Sequence, residues 1–271
     1  MKVAALQMVS GPNPQENLKS ARILLEQAAH AGAELAALPE YFGVMGHSDT
    51  DKVALREMPG QGLMQDFLAR AAQDLGLWIV GGTLPLHTQS PDKVRNATLV
   101  YNPQGDCVAR YDKVHLFKLN NGAEQFDEGR VIEPGSQVVQ FDLQDRSGQT
   151  WKLGLSVCYD LRFPELYRAH AQAGAHVLLV PSAFTYTTGQ AHWELLLRSR
   201  AVENLAYVLA PGQGGLHTNG RRTWGHSMLV DPWGQVLAQH AEGPSVVLGT
   251  LDIQRLQAVR SQLPALDHRV L

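Results

Sequence analysis

The stretch LGLSVCYDLRFPELYR, Leu153 to Arg168, carries an apolar run into Cys158 and restarts at Pro164 in a pattern that suits a helix. Proline is favoured at the first helical position, where its missing N–H costs nothing. The segment therefore reads as a strand, a turn that carries a cysteine, and a helix. A strand followed by a helix is the repeating unit of layered α/β folds, with strands inside and helices covering them.

The same unit recurs on both sides. Lys2 to Val9 reads as a buried strand, and NPQENLKSARILLEQAAHAG then supplies Asn13 as N-cap, Pro14 at the first helical position, Glu16 three residues past the cap and Gly32 as terminator. AELAALPE is a second buried strand; Pro39 stops it and leaves Glu40 just past its C-terminal end. A helix over roughly Gln61 to Leu75 leads to the strand LWIVGGTL. Beyond Cys158 follow a helix from Pro164 to Gly174, the strand AHVLLVPSAF, a helix over roughly Gln190 to Asn204 and the strand AYVLAP. NATLVYNPQGDCVARYDK and GHSMLVDPWGQVLAQHAE each set Pro and Gly between two strand-like runs, which is a hairpin signal. Their echo suits a fold built from two similar halves.

Composition narrows the functional classes. With 271 residues, 44% hydrophobic and 18% charged, the chain has enough apolar surface for a large core. No linker or low-complexity tract divides it, so one domain over 1–271 is the reading. A net charge of −3 with scattered Lys and Arg gives no footprint for nucleic acid or an anionic membrane surface. The opening apolar run is too short for a signal peptide, and no later run approaches a membrane span. Two cysteines form no disulfide framework, and the expected location is the cytoplasm.

Glu40, Cys158 and the Pro-Ser-Ala-Phe of residues 181 to 184 each follow an apolar strand, where layered α/β proteins open their clefts. Position alone leaves Cys158 open between a buried filler and a nucleophile on a tight turn whose N–H groups could hold an oxyanion. Cys107, beside a hairpin turn, is the better filler. A thiol needs a base or a nearby cation. Glu40 is either a carboxylate at the cleft edge or a solvated loop residue, and Lys113 in RYDKVHLF is either inward-pointing or a snorkelling surface lysine. Among eleven histidines, His192 and His226 are the candidates for a cysteine–histidine pair, and none shows the spacing of a His-Glu-x-x-His metal site.

Taken together, LPE at 38–40, YDKVHLF at 111–117 and CYDLRFPELYR at 158–168 resemble the nitrilase superfamily of carbon–nitrogen hydrolases. The resemblance extends over PSAF at 181–184, TTGQAHWELLLRSRAVEN at 187–204 and WGHSMLVDPWGQVLA at 224–238, so it runs nearly end to end. It implies a four-layer α-β-β-α sandwich that forms a homodimer or a higher homo-oligomer. It assigns Glu40 as general base, Lys113 as the cation for the tetrahedral intermediate and Cys158 as nucleophile. It also points to a second glutamate after the lysine, Glu128 rather than Glu124. No metal or organic cofactor is implied.

The blocks around 181–204 are similar to two neighbouring branches, the ω-amidases and the deaminated-glutathione amidases, and PGQGGLHTNGRRTWGHSMLVDPWG favours the second. The resemblance implies cleavage of the terminal amide of a small 2-oxo amide to a carboxylate and ammonia, by way of a thioester on Cys158. The ω-amidase substrate α-ketoglutaramate is the alternative. Tyr159, Arg162, Phe126, Phe184 and Thr188 are the implied substrate contacts. From residue type alone, Arg162 fits a carboxylate of the substrate or an ion pair with Asp160 or Glu165.

Overall fold

The computed structural model describes residues 1–120, 122 and 125–270. Two mixed β-sheets lie face to face with helices on their outer sides, the α-β-β-α sandwich implied above. One sheet runs Ser245–Thr250, Lys2–Gln7, Leu35–Ala37, Trp78–Val80, Val94–Tyr101, Leu84–His87, and Cys107–Asp112 also pairs with Val94–Tyr101. The other runs Val236–His240, Ser227–Val230, Tyr207–Ala210, Val177–Leu179, Thr150–Leu155, Gln140–Gln144.

The halves are alike. Each sheet has three parallel strands at its centre and antiparallel strands beside them. Helices Pro14–His30 and Leu63–Leu75 cross between the parallel strands of the first sheet, and Pro164–Gln172 and Tyr186–Asn204 between those of the second. The two hairpin sequences occupy equivalent places after the third parallel strand.

Period-two alternation sorts the side chains. In Lys2–Gln7, Val3 and Ala5 enter the core between the sheets, while Ala4 and Leu6 pack beneath the helices. Leu18, Ala21, Leu25 and Ala28 supply the matching stripe on Pro14–His30. That helix starts as its sequence predicts, with the Asn13 side chain accepting from the Gln15 N–H at 2.9 Å and the Glu16 N–H at 3.4 Å. The sheets approach closely at Gly249, where a Cβ would lie 2.2 Å from Leu229 Cδ2. Among the described residues, no helix is long and apolar enough to cross a membrane.

Two expectations need correction. The helix assigned to roughly Gln190 begins four residues earlier, at Tyr186, because the Thr185 hydroxyl accepts from the Thr188 N–H at 3.4 Å and caps it. Gly189 sits inside that helix where a Cβ would lie 2.2 Å from Trp224 Cβ, so this glycine marks a close contact and not a loop. The segment after Lys113 contains a short hairpin, Lys118–Asn120 with Gln125–Asp127. Cys107 is exposed on its strand and fills no core.

Candidate active site

Parallel strands end on the same side of their sheet, and the candidate residues follow those ends. Beyond Thr150–Leu155 the chain stays tied to its neighbour, with the Ser156 N–H donating to Leu179 O at 3.1 Å and the Cys158 N–H to Pro181 O at 2.9 Å. Cys158 then adopts a left-handed conformation, φ 49°, and opens a short 3-10 turn over Cys158–Arg162. Such a conformation costs a non-glycine residue about 1–3 kcal/mol and persists where the surroundings enforce it.

Asp160 enforces it here. The carboxylate is fully buried and accepts from the Val157 N–H at 2.8 Å, the Tyr111 hydroxyl at 2.7 Å and the His115 N–H at 3.0 Å, with His115 Nδ1 at 2.7 Å. The Tyr159 N–H donates to no described residue.

Glu40 lies across the pocket from this turn's strand, and each of its oxygens is held. Oε1 accepts from Lys113 Nζ at 2.9 Å and Asn96 Nδ2 at 2.9 Å, and Oε2 from the Ala183 N–H at 3.0 Å. Its backbone carbonyl accepts from Gln213 Nε2 at 3.1 Å, and Gln213 is locked to Ser10 by two further bonds of 3.0 and 2.8 Å. The next residue, Tyr41, is also left-handed, with φ 58°.

Lys113 is wholly buried between two carboxylates, with Nζ 2.9 Å from Glu40 and 2.8 Å from Glu128 Oε2. Glu128 in turn accepts from the Tyr41 hydroxyl and the Phe117 N–H, each at 2.7 Å. Burial alone would depress the ammonium, but the charges of Glu128 and Glu40 overcome it and hold Lys113 charged, well above its ordinary range. Burial would likewise raise Glu128; Lys113, with hydrogen bonds from Phe117 and Tyr41, brings it below the ordinary carboxylate value. For Cys158, burial and then the charge of Glu40 push the thiol far up against the pull of Lys113. The resting sulfur keeps its proton and needs a base when substrate arrives.

Cys158, Glu40 and Glu128 open onto one pocket, and Tyr159, Arg162, Phe184 and Thr188 also line it. Phe126 stands one layer back and does not line it: it packs on Phe117 at 5.8 Å between ring centres, beneath the Arg221 guanidinium at 5.1 Å. Arg162 pairs with neither Asp160 nor Glu165. Both its terminal nitrogens lie 3.3 Å from His192 Nδ1, and its guanidinium sits 5.6 Å from the Phe184 ring centre. His192 and His226 do not line the pocket, and His226 is stacked on Trp224 at 4.0 Å, so no cysteine–histidine pair forms. Glu124 lies outside the described residues.

Sequence reasoning missed Tyr41, Asn96, Asp160, Gln213 and Arg221. Tyr41 and Asp160 adjoin residues already singled out. Asn96 and Gln213 lie in runs that read as a strand and a loop, and only the fold brings them to Glu40.

The sandwich, with a buried thiol, carboxylate and ammonium beyond its strand ends, is that of a carbon–nitrogen hydrolase acting on amides. The chain is a member of the carbon-nitrogen hydrolase family, whose model matches residues 2–261. It is 42% identical to a deaminated glutathione amidase of Synechocystis, over 98% of this chain and 97% of that one. It is 33% identical to omega-amidase NIT2-A of Xenopus laevis, over 97% and 92%. Its fold is similar to that of Saccharomyces cerevisiae Nit3, of the nitrilase superfamily, with a TM-score of 0.86 at 31% identity, covering 97% and 94%.

Proposed function

We propose that the protein hydrolyses the amide of deaminated glutathione, with Cys158 as nucleophile, Glu40 as general base and acid, and Lys113 as the fixed cation. The observation that carries this reading is the buried Lys113, held between Glu40 and Glu128 beside a protonated thiol. Glu40 takes the thiol proton as sulfur attacks the amide carbon, and the oxyanion is stabilised by Lys113 and the free Tyr159 N–H. Protonated Glu40 then gives its proton to the departing nitrogen. A thioester is left, and Glu40 activates the water that hydrolyses it. Glu128 takes no proton in this scheme; it aims Lys113 and fixes Tyr41.

The leaving group follows from the substrate, and for deaminated glutathione it differs from the ammonia expected above. Glutathione joins its glutamyl side chain to cysteinylglycine, so the deaminated form releases the amine of that dipeptide, whereas a primary amide such as α-ketoglutaramate releases ammonia. Both leave the same 2-oxoglutaryl thioester. Greater identity to the glutathione-directed relative favours the first substrate.

The chain is read as one domain over 1–271 acting in the cytoplasm as a homodimer or higher homo-oligomer. Helix Tyr186–Asn204 and the hairpin beside it support the oligomer, because Leu195, Val202 and Trp233 are 66%, 47% and 53% exposed.

The test is hydrolysis of deaminated glutathione and α-ketoglutaramate, followed through cysteinylglycine and ammonia, with mass-spectrometric trapping of the acyl-enzyme. Wild type prefers the first and gains the 2-oxoglutaryl mass on Cys158, and Cys158→Ala loses at least about 10³-fold. Preference for α-ketoglutaramate moves the protein to ω-amidase chemistry, and turnover by Cys158→Ala or Glu40→Gln near the wild-type rate overturns the mechanism.

A further inference from the structure

Two guanidinium groups reach the pocket, Arg162 and Arg221, and neither pairs with a carboxylate among the described residues. They come from different parts of the chain, and their contacts do not overlap. Arg162 follows the cysteine and meets His192 and Phe184.

Arg221 precedes the strand Arg222–Trp224 on a well-anchored loop. Its N–H donates to Asn219 Oδ1 at 3.0 Å and its carbonyl accepts from the His217 N–H at 2.8 Å. Asn219 Nδ2 donates to Gly46 O at 2.6 Å, and the buried His217 bridges Ser10 O and the Thr223 hydroxyl at 2.8 and 2.7 Å. On this rigid base the guanidinium faces a Phe126 ring and, at 3.6 Å, the weak acceptor Met45 Sδ. Its neighbour Arg222 is exposed and already stands 3.5 Å from Glu242. A half-buried guanidinium that faces only a ring and a sulfur retains the planar fork that binds a carboxylate.

We propose that Arg221 is a specificity-determining residue that binds a carboxylate on the leaving group, while Arg162 serves the carboxylate of the acyl chain. The inference rests on the substrate reading above. Deaminated glutathione carries one anion at its 2-oxo acid end and one at its glycine end, flanking the scissile amide. Two unpaired guanidiniums with separate contacts match two anionic ends. A primary amide has only the first anion, so Arg221 separates a dipeptide-like leaving group from ammonia.

The experiment compares kcat/KM for deaminated glutathione with that for α-ketoglutaramate in wild type, Arg221→Ala and Arg221→Lys. The ratio falls about 10- to 100-fold in Arg221→Ala, mostly through KM, and less in Arg221→Lys, as loss of one charge-assisted contact requires. Converting the glycine carboxylate of the substrate to its amide lowers the wild-type value by a similar factor and adds little further loss in Arg221→Ala. An unchanged ratio, or wild-type indifference to the amidated substrate, overturns the inference and leaves the amidase reading standing. Wild type that cleaves α-ketoglutaramate but not deaminated glutathione overturns the substrate reading first, and the role of Arg221 with it.

Discussion

Lys113 Nζ stands 2.9 Å from Glu40 Oε1, and the two side chains are 0% and 1% exposed. Glu128 closes the other side of the ammonium at 2.8 Å. One cation thus neutralises part of two buried carboxylates, and in the proposed mechanism the same cation stabilises the oxyanion.

Lys113→Met therefore has two consequences. Activity falls about 10²–10³-fold, the loss of a fixed oxyanion donor. Stability falls about 3–5 kcal/mol, because two carboxylates are left buried without their cation. Adding Glu128→Gln restores part of the urea midpoint and none of the turnover. A single variant with wild-type stability would show that the buried cluster is already neutral.

Acid stability reports on Glu128. Its carboxyl is below its ordinary value when folded, whereas in the unfolded chain it titrates near about 4.3. The native state therefore binds fewer protons than the unfolded state between those two values. The stabilisation is present above the unfolded pKa and is lost as pH falls through the folded one. Urea midpoints measured between about pH 6 and pH 3 fall less steeply in Glu128→Gln than in wild type. Parallel slopes would mean that Glu128 is not ionised in the native protein.

Asp160 tests whether the cysteine turn is built or incidental. Its oxygens accept from Val157, Tyr111 and His115, and among the described residues no lysine or arginine pairs with it. Asp160→Asn replaces an acceptor by an N–H₂ group among donors, which costs about 1–3 kcal/mol for each partner left unpaired. The Cys158 turn loses its brace, so kcat falls while KM changes little. Alkylation of Cys158 by iodoacetamide becomes faster as the thiol gains exposure. A variant with wild-type kcat and alkylation rate would make the brace irrelevant.

Local patterns carried far in this chain. Asn13, Pro14 and the apolar periodicity marked the first helix to within a residue or two, and strand ends placed Glu40 and Cys158 near a common cleft, while Lys113 joined them only through the family resemblance. What stayed hidden was set by distance along the chain. Gln213 supports Glu40 across 173 positions, and neither residue's neighbours hint at the other. Arg221 and Arg222 are adjacent in sequence; only packing turns one toward the pocket and the other toward Glu242. Thr187, Thr188 and Gly189 are poor helix formers and stand ahead of the helix expected from roughly Gln190. Tertiary contact outweighs that propensity.

That contact gives the last prediction. At Gly189 a Cβ would meet Trp224 Cβ at 2.2 Å and Cγ at 2.4 Å, far inside van der Waals range. Alanine, a better helix former by about 1 kcal/mol, would stabilise an unobstructed helix. Here overpacking wins, at about 1–3 kcal/mol net cost. The displaced first turn also carries Thr188 on the pocket wall and Thr185, whose hydroxyl lies 2.8 Å from it. Gly189→Ala therefore lowers the thermal midpoint and raises KM, whereas Gly76→Ala, at a left-handed cap with open space around it, lowers the midpoint and leaves KM alone. A Gly189→Ala protein more stable than wild type would show that Trp224 yields, and that the glycine is there for some reason other than space.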